Sequence, residues 1–189
     1  MRTRRSFAVL TLALGLACCA TDRSGEPSIE LRDLDGRLVD AARPDATQFV
    51  LLVFLGTGCP IARAYSPELA SIAADYSGRV TTRLVFVDLD LDADAARRHA
   101  GEFRLPRPIL LDPDHRLVHA LGATTTPEAV VLDRAGRVVY SGRIDDRFAE
   151  LGKPRRAAAR HDLRDALDAL LAGRTPRAIR TEPIGCIIE

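Results

Sequence analysis

The unbroken apolar run Phe49–Leu55 ends at Gly56 and leads through Thr57-Gly58 to Cys59. A strand with one wet face alternates apolar and polar residues. This run does not alternate, and its Val and Phe content favours a strand over a helix. Such a strand needs cover on both faces, so the chain must build a sheet between helices.

The flanking patterns supply the other parts. Ile29–Leu31 and Leu38-Val39 bracket Asp35-Gly36, which predicts a short hairpin. From about Pro60 to Tyr76, the residues Ile61, Tyr65, Leu69, Ile72 and Tyr76 recur at helical spacing, with Pro67 inside and expected to kink the helix. Leu84–Val87 reads as a second buried strand. Asp92 or Asp94 caps a helix running to about Phe103. Ile109–Leu111 is extended, and His115–Leu121 is a short helix. Ala129–Leu132 and Arg137–Tyr140 flank a turn that predicts an antiparallel hairpin. A last helix carries Leu163, Ala166, Leu167, Leu170 and Leu171 and stops at Gly173. Arg155–Arg160 reads as its solvated start, and Asp145-Asp146 as an exposed turn. The order, strand–helix–strand–helix and then a hairpin and a helix, predicts an α/β fold with one mixed sheet.

Residues 1–20 stand apart. Arg2, Arg4 and Arg5 precede the apolar stretch Phe7–Ala17, which is too short to span a bilayer; this is the layout of a secretory signal. Thr3-Arg4-Arg5-Ser6-Phe7 also resembles a twin-arginine signal. Cys18 and Cys19 stand where a bacterial lipoprotein carries its lipidated cysteine. Lipid anchoring to a membrane at one of them and simple cleavage nearby are both open readings, and either implies a periplasmic or cell-envelope protein. Residues 21–27 read as a polar tether, 28–173 as the domain and 174–189 as a tail carrying Cys186. The chain has 27 basic and 26 acidic residues; without the three signal arginines it is slightly acidic. With no basic run, nucleic acid is an unsuitable partner.

Past the signal, only Cys59 and Cys186 remain, so packing and not a disulfide scaffold must hold the core. A thiol at a helix start faces unpaired N–H groups, which favour thiolate and hence nucleophilic attack on a disulfide or a peroxide. Arg63, one turn on, is a candidate for added positive charge. The bland alternative for Cys59 is an inert buried thiol. The tail ends in Ile184-Gly185-Cys186-Ile187-Ile188, too apolar to stay in water. It is expected to dock, with Cys186 either a packed structural cysteine or a resolving thiol for Cys59 of its own or a partner chain. His99, His115, His119 and His161 show no ligand spacing, and Asp88, Asp90, Asp92 and Asp94 fail the calcium-loop pattern, so no metal or other cofactor is expected.

Three features resemble the thioredoxin superfamily. Phe54–Cys59 looks like its central strand leading into a reactive cysteine, Pro67 falls eight residues after that cysteine, and Thr125-Thr126-Pro127 precedes a strand. The pattern from Thr126 through Asp133, Gly136, Tyr140 and Gly142 is similar to exported redoxins and the AhpC/TSA (peroxiredoxin-like) group. The resemblance covers about residues 27–172. It implies a thioredoxin-like three-layer fold, a cis Pro127 that frames the substrate beside Thr126, and an antioxidant or thiol-disulfide oxidoreductase acting with a redox partner protein or peroxide. The departures are specific. Ala62 replaces the second cysteine of Cys-x-x-Cys, Thr57 lies two residues before Cys59 where peroxiredoxins place a threonine three before, and Arg63 stands where copper chaperones of this fold carry a second cysteine. The alternative reading is a copper-binding or assembly module that uses Cys59 and Cys186 as soft ligands.

Overall fold

The computed structural model describes residues 28–150 and 153–189. The predicted signal, the tether and the candidate lipidation sites Cys18 and Cys19 lie outside the described residues. In chain order the elements are β1 (Glu30–Asp33), β2 (Leu38–Asp40), β3 (Phe49–Leu55), α1 (Pro60–Ala64), α2 (Ser66–Asp75), β4 (Val80–Phe86), α3 (Ala93–Glu102), β5 (Ile109–Leu111) and α4 (Arg116–Leu121). Then follow β6 (Thr125–Thr126), β7 (Glu128–Asp133), β8 (Val138–Gly142), β9 (Phe148–Glu150), β10 (Lys153–Pro154), α5 (Asp162–Leu171) and β11 (Cys186–Ile187).

The main sheet has strand order β2-β1-β5-β4-β3-β7-β8. β3 pairs parallel with β4 and antiparallel with β7, and β4 pairs parallel with β5. The parallel pairs are those joined through helices, because a parallel return needs a crossover and an antiparallel one only a turn. β3 lies between neighbours on both sides, and its residues from Val50 to Leu55 are buried. Alternate residues face opposite sides: Leu51, Val53 and Leu55 pack with Leu69, Ile72, Ala96, Leu163 and Leu167, while Val50, Leu52 and Phe54 pack with Leu117 and Val118. Both faces are therefore covered by helices, as the unbroken apolar run requires.

Three expectations are corrected. The single kinked helix over 60–76 is two helices, with Tyr65 ending α1 and capping α2. Pro67 has no N–H to give the Arg63 carbonyl, so the ladder is interrupted there. Residues 155–160 are not the start of the last helix, which begins at Asp162. The Asp146 carboxylate instead accepts the N–H groups of Ala159 and Arg160 at 2.7 and 3.0 Å and pairs with Arg155 at 2.5 Å. Nor is Asp145-Asp146 an exposed turn: both residues are buried, and Asp145 accepts the Tyr65 hydroxyl at 2.5 Å. Asp145 thus ties its loop to the core through Tyr65, and Asp146 ties residues 155–160 back to that loop; alternation and spacing do not register such contacts.

Candidate thiol site

Cys59 follows β3 directly. Its N–H closes a turn onto the Gly56 carbonyl at 3.1 Å. Its backbone is extended (φ −80°, ψ 115°), so Cys59 is the cap and Pro60 opens the helix. At that position proline forfeits only an N–H that has no helical partner. The Cys59 Sγ then accepts the Ala62 N–H at 3.5 Å, the contact that makes a capping cysteine more acidic.

The loop before β7 supplies the opposite wall. Thr126–Pro127 is a cis peptide, and the Thr126 carbonyl lies 3.0 Å from the Cys59 Sγ, accepting its S–H when the thiol is protonated. The buried Glu128 carboxylate holds this loop by accepting the N–H groups of Thr124 and Thr125 at 2.9 and 3.2 Å. Gly56 lets the loop close in, since a Cβ there would sit 3.2 Å from the Thr126 hydroxyl.

Cys186 arrives from the tail. β11 pairs antiparallel with β6, with Cys186 opposite Thr126 and Ile187 opposite Thr125. Cys186 packs against the core cluster that contains Cys59, close enough for its thiol and backbone N–H to bear on the Cys59 sulfur electrostatically. Both cysteines are free thiols; Cys59 is buried and Cys186 partly exposed.

The electrostatics divide the pair. Burial alone would push the Cys59 thiol up, but donors from the Cys186 thiol, the Ala62 N–H, the Cys186 N–H and the Thr126 hydroxyl outweigh it, and the net shift is down. The Thr126 carbonyl opposes them, since it favours S–H, but the donors to sulfur outnumber it. Cys186 moves the other way, to about 11, through burial, its hydrogen bond to Cys59 and repulsion by the Cys59 thiolate. Two groups sharing one proton titrate as a pair, with the first charge settling on Cys59.

The other sequence candidates fall outside this cluster. Thr57 gives its N–H and hydroxyl to Asp88, at 3.0 and 2.9 Å. Arg63 is exposed, lies 5.9 Å from the Phe103 ring centroid, and acts on His99, whose pKa burial lowers and Arg63 lowers further. His115 and His119 have ring centroids 6.1 Å apart, and the His115 Nε2 is engaged by the Val87 carbonyl at 2.7 Å. Among the described residues, no three His, Cys, Asp or Glu side chains form a group that could hold a metal. Glu128 and Thr181 carry no signal in the sequence, where Gly142 stands only as part of the family pattern and Gly185 only as part of the apolar end.

A mixed sheet covered on both faces, a thiol capping the helix after its central strand, and a cis-proline loop against that thiol together define a thioredoxin-like protein. Within that class the chain belongs to the redoxin family, whose model matches residues 22–153. The matched segment contains Cys59, Thr126 and Pro127 and stops before Cys186. The chain is 24% identical over 163 residues to the thiol-disulfide oxidoreductase ResA of Halalkalibacterium halodurans, covering 78% of this chain and 92% of ResA. Among solved structures it is similar to a conserved protein of Geobacillus kaustophilus, with a TM-score of 0.72 and 28% identity over 86% of this chain and 88% of the other. A hypothetical protein of Sinorhizobium meliloti has a TM-score of 0.73 and 26% identity, covering 86% of this chain and 90% of the other.

Proposed function

We propose that this chain is an exported thiol-disulfide oxidoreductase in which Cys59 is the attacking thiolate and Cys186 the second thiol. One observation carries the reading: Cys186 sits on a strand directly opposite Thr126, the residue whose carbonyl lies 3.0 Å from the Cys59 sulfur. The tail thereby provides the second thiol that Ala62 cannot.

In the first step the Cys59 thiolate attacks one sulfur of a substrate disulfide. A bond forms between Cys59 and that sulfur, the substrate S–S bond breaks, and the other substrate sulfur leaves as a thiolate and takes a proton. In the second step Cys186 loses its proton and attacks the Cys59 sulfur. The Cys59–Cys186 disulfide forms, and the remaining substrate sulfur leaves as a thiol. The substrate gains two electrons and the protein loses them; run in reverse, the same steps oxidise a dithiol partner.

A disulfide is the favoured electrophile over a peroxide. The Thr57 hydroxyl proton is spent on Asp88 and Arg63 is turned onto Phe103, so neither serves a peroxide oxygen at the sulfur. The export assignment is supported by the basic, apolar and small-residue layout of residues 1–20, and an oxidising compartment suits a cysteine pair of this kind. Lipid anchoring at Cys18 or Cys19 remains part of the same reading, and intact mass of the envelope-localised protein tests it.

Equilibration with a glutathione redox buffer followed by peptide mapping should show a Cys59–Cys186 linkage. Cys59→Ser should abolish exchange with a small disulfide, and Cys186→Ser should stop at a mixed disulfide on Cys59. Exchange that survives Cys59→Ser would refute the proposal.

A further inference from the structure

After α5 the tail returns across two places on the domain. The first is the end of β8. The Ser141 N–H donates to the Ile179 carbonyl and the Thr181 N–H to the Ser141 carbonyl, both at 2.9 Å. The Thr181 hydroxyl accepts the Arg143 N–H at 3.0 Å and pairs with the buried Tyr140 hydroxyl at 2.9 Å. The approach is so close that a Cβ at Gly142 would lie 1.9 Å from the Thr181 carbonyl oxygen.

The second is the cis-proline loop. Beyond the β11–β6 pairing, the Ile188 N–H donates to the Thr124 carbonyl at 2.9 Å, and the Thr126 hydroxyl lies 3.4 Å from the Cys186 carbonyl, giving its one proton either to that oxygen or to the Cys59 sulfur. A Cβ at Gly185 would sit 2.0 Å from the Thr126 carbonyl oxygen, so only glycine fits there. Ile184 and Cys186 pack toward one core and Ile188 toward the other, while Ile187 is 80% exposed. The chain thus lays Cys186-Ile187 as a strand, continued by the Ile188 N–H, on the backbone edge beside its own nucleophile.

A backbone edge pairs with one strand at a time. We infer that residues 185–188 are a resident strand on this edge, so that a polypeptide disulfide entering in extended form must displace them, while a small disulfide need only displace the Cys186 side chain. This rests on the proposed oxidoreductase reading and adds the substrate class: the closed protein discriminates against extended polypeptide disulfides in favour of small ones. The glycine contact also limits which strand can replace the tail at the same depth, namely one with glycine before its cysteine.

The test uses the full chain with Cys186→Ser, which keeps the tail but removes its thiol. Two disulfides with the same leaving group are compared at Cys59: hydroxyethyl disulfide, and a synthetic copy of residues 182–189 whose cysteine is disulfide-bonded to 2-mercaptoethanol. Adding Gly185→Val, or separately Thr181→Val, to displace the tail should raise the peptide rate relative to the small-disulfide rate by about tenfold, the scale of losing one or two net backbone hydrogen bonds. Hydrogen exchange at the Ile188 N–H reports displacement in each variant. A rate ratio unchanged in both variants, or Ile188 protection that survives Gly185→Val, would overturn the inference. If Cys59 reacts with neither disulfide in any variant, the oxidoreductase reading itself fails.

Discussion

Replacing Cys186 by alanine should make Cys59 a weaker acid. In the structure the Cys186 thiol heads the donors that offset the burial of the Cys59 sulfur. Alanine removes that donor and leaves the burial, because the tail is still held by Thr181 and by the Ile188 N–H. An S–H is a weak donor, and at about 0.5–1.5 kcal/mol for such a hydrogen bond the thiolate-to-thiol ratio of Cys59 at a fixed pH should fall by about 2- to 10-fold. The direction is unambiguous: donors favour the anion, and both burial and the Thr126 carbonyl favour the neutral thiol. Cys186→Ser, which retains a hydroxyl donor, should recover much of the loss. Ultraviolet thiolate absorbance followed against pH measures the ratio directly, without the fall in intrinsic nucleophilicity that accompanies a lower pKa. An unchanged or larger thiolate fraction in Cys186→Ala would refute the assignment of Cys186 as the stabilising donor.

Two further predictions concern the scaffold. Arg83 is 2% exposed and its Nη1 serves the carbonyls of Asp40, Ala41 and Arg43 at 2.9, 3.0 and 2.7 Å; Arg83→Leu strands these acceptors and should cost about 3 kcal/mol or more in urea unfolding, and a loss below about 1 kcal/mol would contradict the role. Asp146 is held down to about 2, first by the Arg160 N–H, with Ala159, Arg155 and Arg160 adding to it against burial. Its folded pKa lies below the ordinary 3.8, so its contribution is present above that value and lost as pH falls toward about 2. The urea midpoint should decline over that window in the wild type and decline less in Asp146→Asn.

The elements that were legible in the sequence are those governed by local pattern. β5 (Ile109–Leu111) and the start of α3, where Asp92 accepts the Ala95 N–H at 2.7 Å, fall where apolar runs and capping chemistry put them. α2 was legible as a helix but not as a separate one, because periodicity does not record where a proline interrupts the ladder. β6 and β11 were not legible as strands. Each is two residues long and exists only because the other is there to pair with it. Asp145 and Asp146 were misread for a related reason: acidic pairs usually face water, and only the folded chain brings Tyr65, Arg155 and the 159–160 backbone to them.

By itself the sequence determined a doubly covered sheet, a thiol at a helix start and a proline loop, since each follows from residues adjacent in the chain. Only the tertiary structure decided which groups surround that thiol. It turned Arg63 toward Phe103 and His99, committed Thr57 to Asp88, and brought Cys186 to Cys59 through the separate docking of Thr181 and Gly185. The physical reason is range: hydrophobic spacing, caps and turns act over a few residues. The Cys59 site joins segments more than a hundred residues apart, and its close contacts depend on two glycines whose missing side chains matter only once the tail lies against the domain.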